Sequence, residues 1–160
     1  MEGTIVQINI SPGGLPKLPI KEGVIFSLGL DGDAHAHPKI HGGPRKAILL
    51  IASEIVDDLA ARGFPVFYGA LGENLTTRGI PIRELRIGDC LQIGSALLEI
   101  TQPRGPCTAL DVYGESIKTE IYDAQVKALN PASARWGMSG FYARVLEGGV
   151  VRVNDSVLLK

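Results

Sequence analysis

Phe141-Tyr142-Ala143-Arg144-Val145-Leu146, Val150-Val151-Arg152-Val153 and Ser156-Val157-Leu158-Leu159 are three runs of strand length, separated by Gly148-Gly149 and Asn154-Asp155. β-Branched and aromatic side chains suit a pleated surface, and Gly, Asn and Asp supply the backbone freedom of tight turns. The stretch predicts a meander of short strands at the carboxyl end. The same signal recurs upstream, where Gly94-Ser95 between alternating runs at 85–93 and 96–101 marks a hairpin. Farther back, Thr4-Ile5-Val6-Gln7-Ile8-Asn9-Ile10 alternates with a period of two and is ended by Ser11-Pro12-Gly13-Gly14. Pro16 and Pro19 keep the next segment extended, and Val24-Ile25-Phe26-Ser27-Leu28 predicts a second strand. Ala47-Ile48-Leu49-Leu50-Ile51 is apolar throughout, as a strand covered on both faces would be.

Helical signals are fewer. Ser53 is placed to cap a helix over residues 54–62, with Gly63 beyond its end and Ile55, Val56 and Leu59 as its packed stripe. Residues 115–129 put Ile117, Ile121, Ala124 and Ala128 on one side at helical spacing, and Asn130-Pro131 stops them. Residues 64–76 read as loop, in which Asn74 suits a turn with positive φ. Many short strands, frequent glycine turns and two helices predict a β-rich chain of mixed α/β content. The expected architecture is a closed or partly closed β-barrel with two helical insertions. At 160 residues the chain is most simply one domain, residues 1–160.

Composition narrows the function. A net charge of −1 and 21% charged residues provide no field to draw in nucleic acid, and no basic run is interleaved with aromatics. No apolar run approaches the roughly 18 residues of a membrane helix. The amino terminus lacks the basic and apolar regions of a signal peptide, and two cysteines are too few for a disulfide framework. A cytoplasmic, reduced protein without a membrane or nucleic-acid partner is expected.

Three constellations could carry chemistry. In Thr101-Gln102-Pro103-Arg104-Gly105-Pro106-Cys107 two prolines and a glycine stiffen a loop that holds one arginine and one cysteine. A cation beside an accessible thiol favours the thiolate, the form that attacks or ligates, whereas a free cysteine of the core is only a small hydrophobe. Cys90 is assigned no chemistry. Asp31-Gly32-Asp33-Ala34-His35-Ala36-His37-Pro38-Lys39-Ile40-His41 groups all three histidines with two aspartates. Its spacing matches no zinc pattern, and Pro38 forbids a helix presenting His37 and His41 together. In His41-Gly42-Gly43-Pro44-Arg45-Lys46 paired glycines precede two cations, a loose likeness to an anion cradle without P-loop spacing.

Gly32-Asp33-Ala34-His35-Ala36, His41-Gly42-Gly43-Pro44, Gly72-Glu73-Asn74-Leu75-Thr76, Gln102-Pro103-Arg104-Gly105-Pro106-Cys107 and Gly140-Phe141-Tyr142-Ala143-Arg144-Val145 together, in this order, resemble the MOSC domain family. These are small β-barrel domains named after the carboxyl-terminal domain of molybdenum-cofactor sulfurase. The resemblance implies binding of molybdenum cofactor, a pterin with dithiolene-held molybdenum and a phosphate, with Cys107 as metal ligand or persulfide carrier. By motif position Arg104, His41, Gly42, Gly43, Glu73, Asn74, Asp33 and His35 would line the same pocket. His37 stands where many relatives have glycine. Relatives either pass sulfur from a cysteine desulfurase or reduce small N-hydroxylated substrates. Here the desulfurase or electron-donor protein would be a separate partner. A module that binds small anionic ligands at His41-Gly42-Gly43 with Arg45, and a zinc protein built on the His35, His37 and His41 cluster, are the remaining alternatives.

Overall fold

The structure, a computed structural model, describes residues 2–34 and 43–160. The chain opens with β1 (Glu2–Ile10), β2 (Leu18–Ile20), β3 (Glu22–Phe26) and β4 (Gly29–Leu30), and resumes with β5 (Ile48–Ala52) and helix α1 (Ser53–Ala61). It continues through β6 (Leu75–Arg78), β7 (Cys90–Ile93) and β8 (Ala96–Pro103). Two short helices, α2 (Ile117–Ile121) and α3 (Ala124–Lys127), precede β9 (Phe141–Glu147), β10 (Gly149–Arg152) and β11 (Ser156–Leu159). Seven strands form a closed ring in the order β11-β7-β8-β9-β5-β6-β1, and β1 returns to β11 through Glu2–Leu158, Gly3–Val157 and Thr4–Ser156. β2 extends β1, while β10, β3 and β4 form a separate small sheet. The expected barrel is therefore present and closed.

Every barrel pairing is antiparallel except β5–β6. A parallel pair needs a crossover, and α1 provides it. β5 explains its own unbroken apolar run. Ile48 and Leu50 join the barrel core with Ile5, Ile8, Leu98 and Phe141, whereas Leu49 and Ile51 join a second core with Val56, Leu59, Ile117 and Ile121. In the first core Trp136 meets Phe141 edge-on at 5.6 Å, and its indole N–H donates to the Leu85 carbonyl at 2.8 Å. The buried polar end of the ring is thereby satisfied.

Several local expectations are corrected. The carboxyl-terminal strands do not form a meander: β9 lies between β8 and β5, β10 joins β3 in the other sheet, and β11 joins β7 and β1. Ser53 does not cap α1. β5 runs directly into the helix, so the cap position is Ala52, still extended at φ −70°, ψ 132°, and Ser53 is buried. The helix foreseen over 115–129 is two, because Tyr122 is extended and Asp123 starts again, its carboxylate accepting from the Val126 amide at 2.8 Å. That restart changes the helical phase, so Val126 is buried while Ala124 and Ala128 are exposed. The run from Leu85 becomes strand only at Cys90, after a left-handed turn at Gly88. Leu75 and Thr76, read as the end of a loop, begin β6, and Asn74 has no positive φ.

Candidate functional site

Beyond the end of β8, Arg104 is folded against the approach to β9. Its amide donates to the Gly140 carbonyl at 2.8 Å, its Nε to the Ser139 carbonyl at 3.0 Å and its Nη1 to the Leu71 carbonyl at 3.0 Å. The Ser139 hydroxyl donates back to the Arg104 carbonyl. This strap leaves Arg104 only 4% exposed, yet its Nη2 is buried without a partner among the described residues. Burial pulls the guanidinium below its usual pKa, against Tyr142, Glu73 and Cys107, which pull it up. An arginine starts high enough to stay charged.

Three residues on, Cys107 is a free, half-buried thiol preceding the 3₁₀ turn Thr108–Tyr113. Within the Pro103-to-Cys107 run Pro103 and Arg104 are buried while Cys107 stays partly exposed and outside both hydrophobic cores, so the reading of Cys107 as a packed small hydrophobe does not hold. Arg104, Cys107, Asn74, Lys17, Lys46 and Tyr142 line one cleft of about 100 Å³.

The amide side chain of Asn74 is fully committed. Its Oδ1 accepts from the Leu49 amide at 3.0 Å, and its Nδ2 donates to Asp33 Oδ2 at 2.8 Å and the Asn9 carbonyl at 3.4 Å. It therefore ties β1 and β5 together and fixes Asp33, rather than offering a free donor to the cleft. Asp33 also accepts from the Ser11 amide at 2.9 Å and binds Lys17 Nζ at 2.6 and 2.7 Å. The Lys17 and Asp33 side chains are 7% and 3% exposed, and of the two only Lys17 lines the cleft.

Glu73 is completely buried and lies outside the cleft lining. Its Oε2 accepts from the Thr76 hydroxyl at 3.1 Å, and its Oε1 has no partner among the described residues. Burial raises its carboxyl above the usual range, opposed in turn by the backbone amides of Gly69 and Glu73, Thr76 and Arg104.

Of the remaining sequence candidates, Gly43 is exposed at φ +95° with open space around it, and its carbonyl accepts from the Lys46 amide at 3.0 Å. His35, His37, His41 and Gly42 lie outside the described residues. Among the described residues no group of three or more His, Cys, Asp or Glu side chains could hold a metal ion, nor is any helix long and apolar enough to cross a membrane. Sequence reasoning missed Lys17 and Tyr142 as lining residues, and had Lys46 only as a cation after the His41-Gly42-Gly43 run. Lys17 is placed by Gly69, whose φ of +95° and missing Cβ let the chain pass against the Lys17 carbonyl. Nothing local to Lys17 could have revealed that approach.

Comparison with known proteins agrees with this geometry. A family model described as the MOSC domain matches residues 37–158. The protein YflK of Bacillus subtilis is 33% identical over 143 residues, which cover 86% of this chain and 59% of YflK. A protein of Gibberella moniliformis named "Reductase" is 30% identical over 148 residues, 86% of this chain and 24% of its own length. This chain therefore spans about three fifths of the first relative and about a quarter of the second. Among solved structures, YiiM from Geobacillus stearothermophilus superposes with a TM-score of 0.72 at 29% identity, covering 99% of this chain and 75% of that one.

Proposed function

We propose, from the premise that this chain belongs to the MOSC domain family, a family of molybdenum-cofactor-associated domains, that it binds molybdenum cofactor with Cys107 as metal or sulfur ligand. The observation that carries this reading is that Arg104, whose buried Nη2 has no partner among the described residues, lines the same cleft as a free thiol. A charged donor left unsatisfied in the interior costs about 1–3 kcal/mol or more, so an acceptor that reaches Nη2 from the cleft would complete the arrangement. Anionic oxygen or sulfur beside a soft thiolate suits that position. The residues present fit the cofactor: Cys107 would hold its metal, with Arg104 and Lys17 facing its anionic atoms. When bound, the group supplies a thiophilic, redox-active metal. Arg104 balances an anionic sulfur at Cys107, and its hydrogen bonds to Ser139 and Leu71 fix where that charge sits. Glu73, behind the wall, is coupled electrostatically to Arg104.

A cysteine desulfurase or an electron-donor protein would be a separate partner. Protein purified from cells with intact cofactor biosynthesis should contain molybdenum and pterin, and Cys107→Ser should lose the molybdenum. No metal in the parent protein, or equal metal in the variant, overturns the reading.

A second reading makes the same site a reductase of N-hydroxylated compounds, and the relative named "Reductase" favours it. Turnover of an N-hydroxylated purine by loaded protein with a supplied electron donor would separate it from a carrier that only retains or passes sulfur.

A further inference from the structure

Across the Pro103-Arg104-Gly105 turn lies a second groove, of about 500 Å³, bounded by Arg45, Lys127, Tyr122, Gln102, Lys46 and Tyr142. The last two also line the Cys107 cleft, so the two spaces share a wall there. Arg104 and Cys107 face the cleft, whereas Pro103 and Gly105 face the groove.

The groove is rich in unused donors. Neither Arg45 nor Lys127 has a side-chain hydrogen bond or ion pair among the described residues, and the Tyr122 hydroxyl likewise has no partner there. A Cβ on Gly105 would lie 3.5 Å from that hydroxyl, so the absence of a side chain keeps this wall open. Among the described residues no carboxylate lines the groove. The nearest in sequence, Asp123, is taken by the Val126 amide and the Ser133 hydroxyl, both at 2.8 Å. Arg45 is held in place by its backbone, since its carbonyl accepts from the buried Thr101 hydroxyl at 2.6 Å. Two positive charges and a neutral donor, uncompensated and around a concave space, select a compact oxyanion that accepts several hydrogen bonds at once.

We propose that this groove is a phosphate subsite, which takes the phosphate-bearing arm of the ligand whose other end lies at Cys107. The identity of that ligand rests on the reading above, but the subsite itself rests on Arg45, Lys127 and Tyr122. Occupancy of both spaces explains why one wall, Lys46 and Tyr142, serves each.

The test is titration of the purified chain with inorganic phosphate, followed by ³¹P NMR at low ionic strength. Binding should be saturable in the parent protein, unchanged in Cys107→Ser, and at least tenfold weaker in the exposed double variant Arg45→Ser/Lys127→Ser. Circular dichroism verifies that the fold survives, and Tyr122→Phe should weaken binding less than the double variant does. Absence of saturable binding, or equal binding to the double variant, overturns the subsite and leaves the Cys107 reading to its own metal analysis. Phosphate bound as expected by a protein that never retains molybdenum overturns the Cys107 reading and with it the assignment of the arm.

Discussion

Glu73 carries its carboxyl where no water-facing surface is available, and that single residue makes stability depend on pH. Because burial raises the folded-state pKa, the native protein holds the proton more tightly than the unfolded chain does. The stabilising contribution of the neutral form is complete below the unfolded value and is lost as pH rises through the raised folded value. Glu73→Gln keeps an acceptor for the Thr76 hydroxyl without a charge. Its urea midpoint should fall less than that of the parent protein between mildly acidic and mildly alkaline pH, and two parallel profiles would refute this account. The Lys17–Asp33 pair, buried and with both carboxylate oxygens engaged, behaves differently. Lys17→Met strands a buried aspartate and should cost about 3–5 kcal/mol. Adding Asp33→Asn should recover part of that, and no recovery in chemical denaturation would argue against the pair as the cause.

Among the elements, the strap between the end of β8 and the start of β9 positions the site. Gly140 sits at φ +91°, and a Cβ there would come within 2.6 Å of both the Leu50 carbonyl oxygen and Ile51 Cγ1. The first is backbone and cannot yield. Gly140→Ala should therefore cost roughly 2–4 kcal/mol, and, under the proposed function, cofactor content should fall with it, because the clash displaces the carbonyl that the Arg104 amide bonds. A melting temperature matching the parent's would contradict this.

The legible and illegible elements divide on physical grounds. β5 was plain in the sequence because a strand that feeds two cores is apolar at every position. The β7–β8 hairpin was plain because Gly94 marks a local turn. β6 was hidden: Leu75-Thr76-Thr77-Arg78 is too short to display a period, and its pairing with β5 is made across α1. The break at Asp123 was hidden because an N-cap in mid-helix looks like any polar surface residue. In the site, the loop from Arg104 to Cys107 could be read from proline and glycine, whereas the committed side chain of Asn74 and the place of Lys17 depend on partners distant in sequence.

For the molecule as a whole, closure depends on β11, which lies between β7 and β1. Val157 is fully buried and stands opposite Gly3 on one side and Ile93 on the other. Val157→Asp puts an unpaired carboxylate into that seam and should cost at least about 3 kcal/mol. Hydrogen exchange should then rise in β1 and β11 together; a rise confined to β11 would refute closure as a cooperative event. Folding of such long-range pairings belongs to the millisecond-to-second range.

That seam also sets a timetable during translation. The Glu2 and Ser156 side chains are joined across 154 positions, so β1 leaves the ribosome roughly 8–30 s before β11, the neighbour that closes the ring, exists. For that interval the nascent chain carries an unmatched edge, the kind that recruits foreign strands. The closed ring, and with it the wall behind the Cys107 cleft, is complete only once β11 has been made.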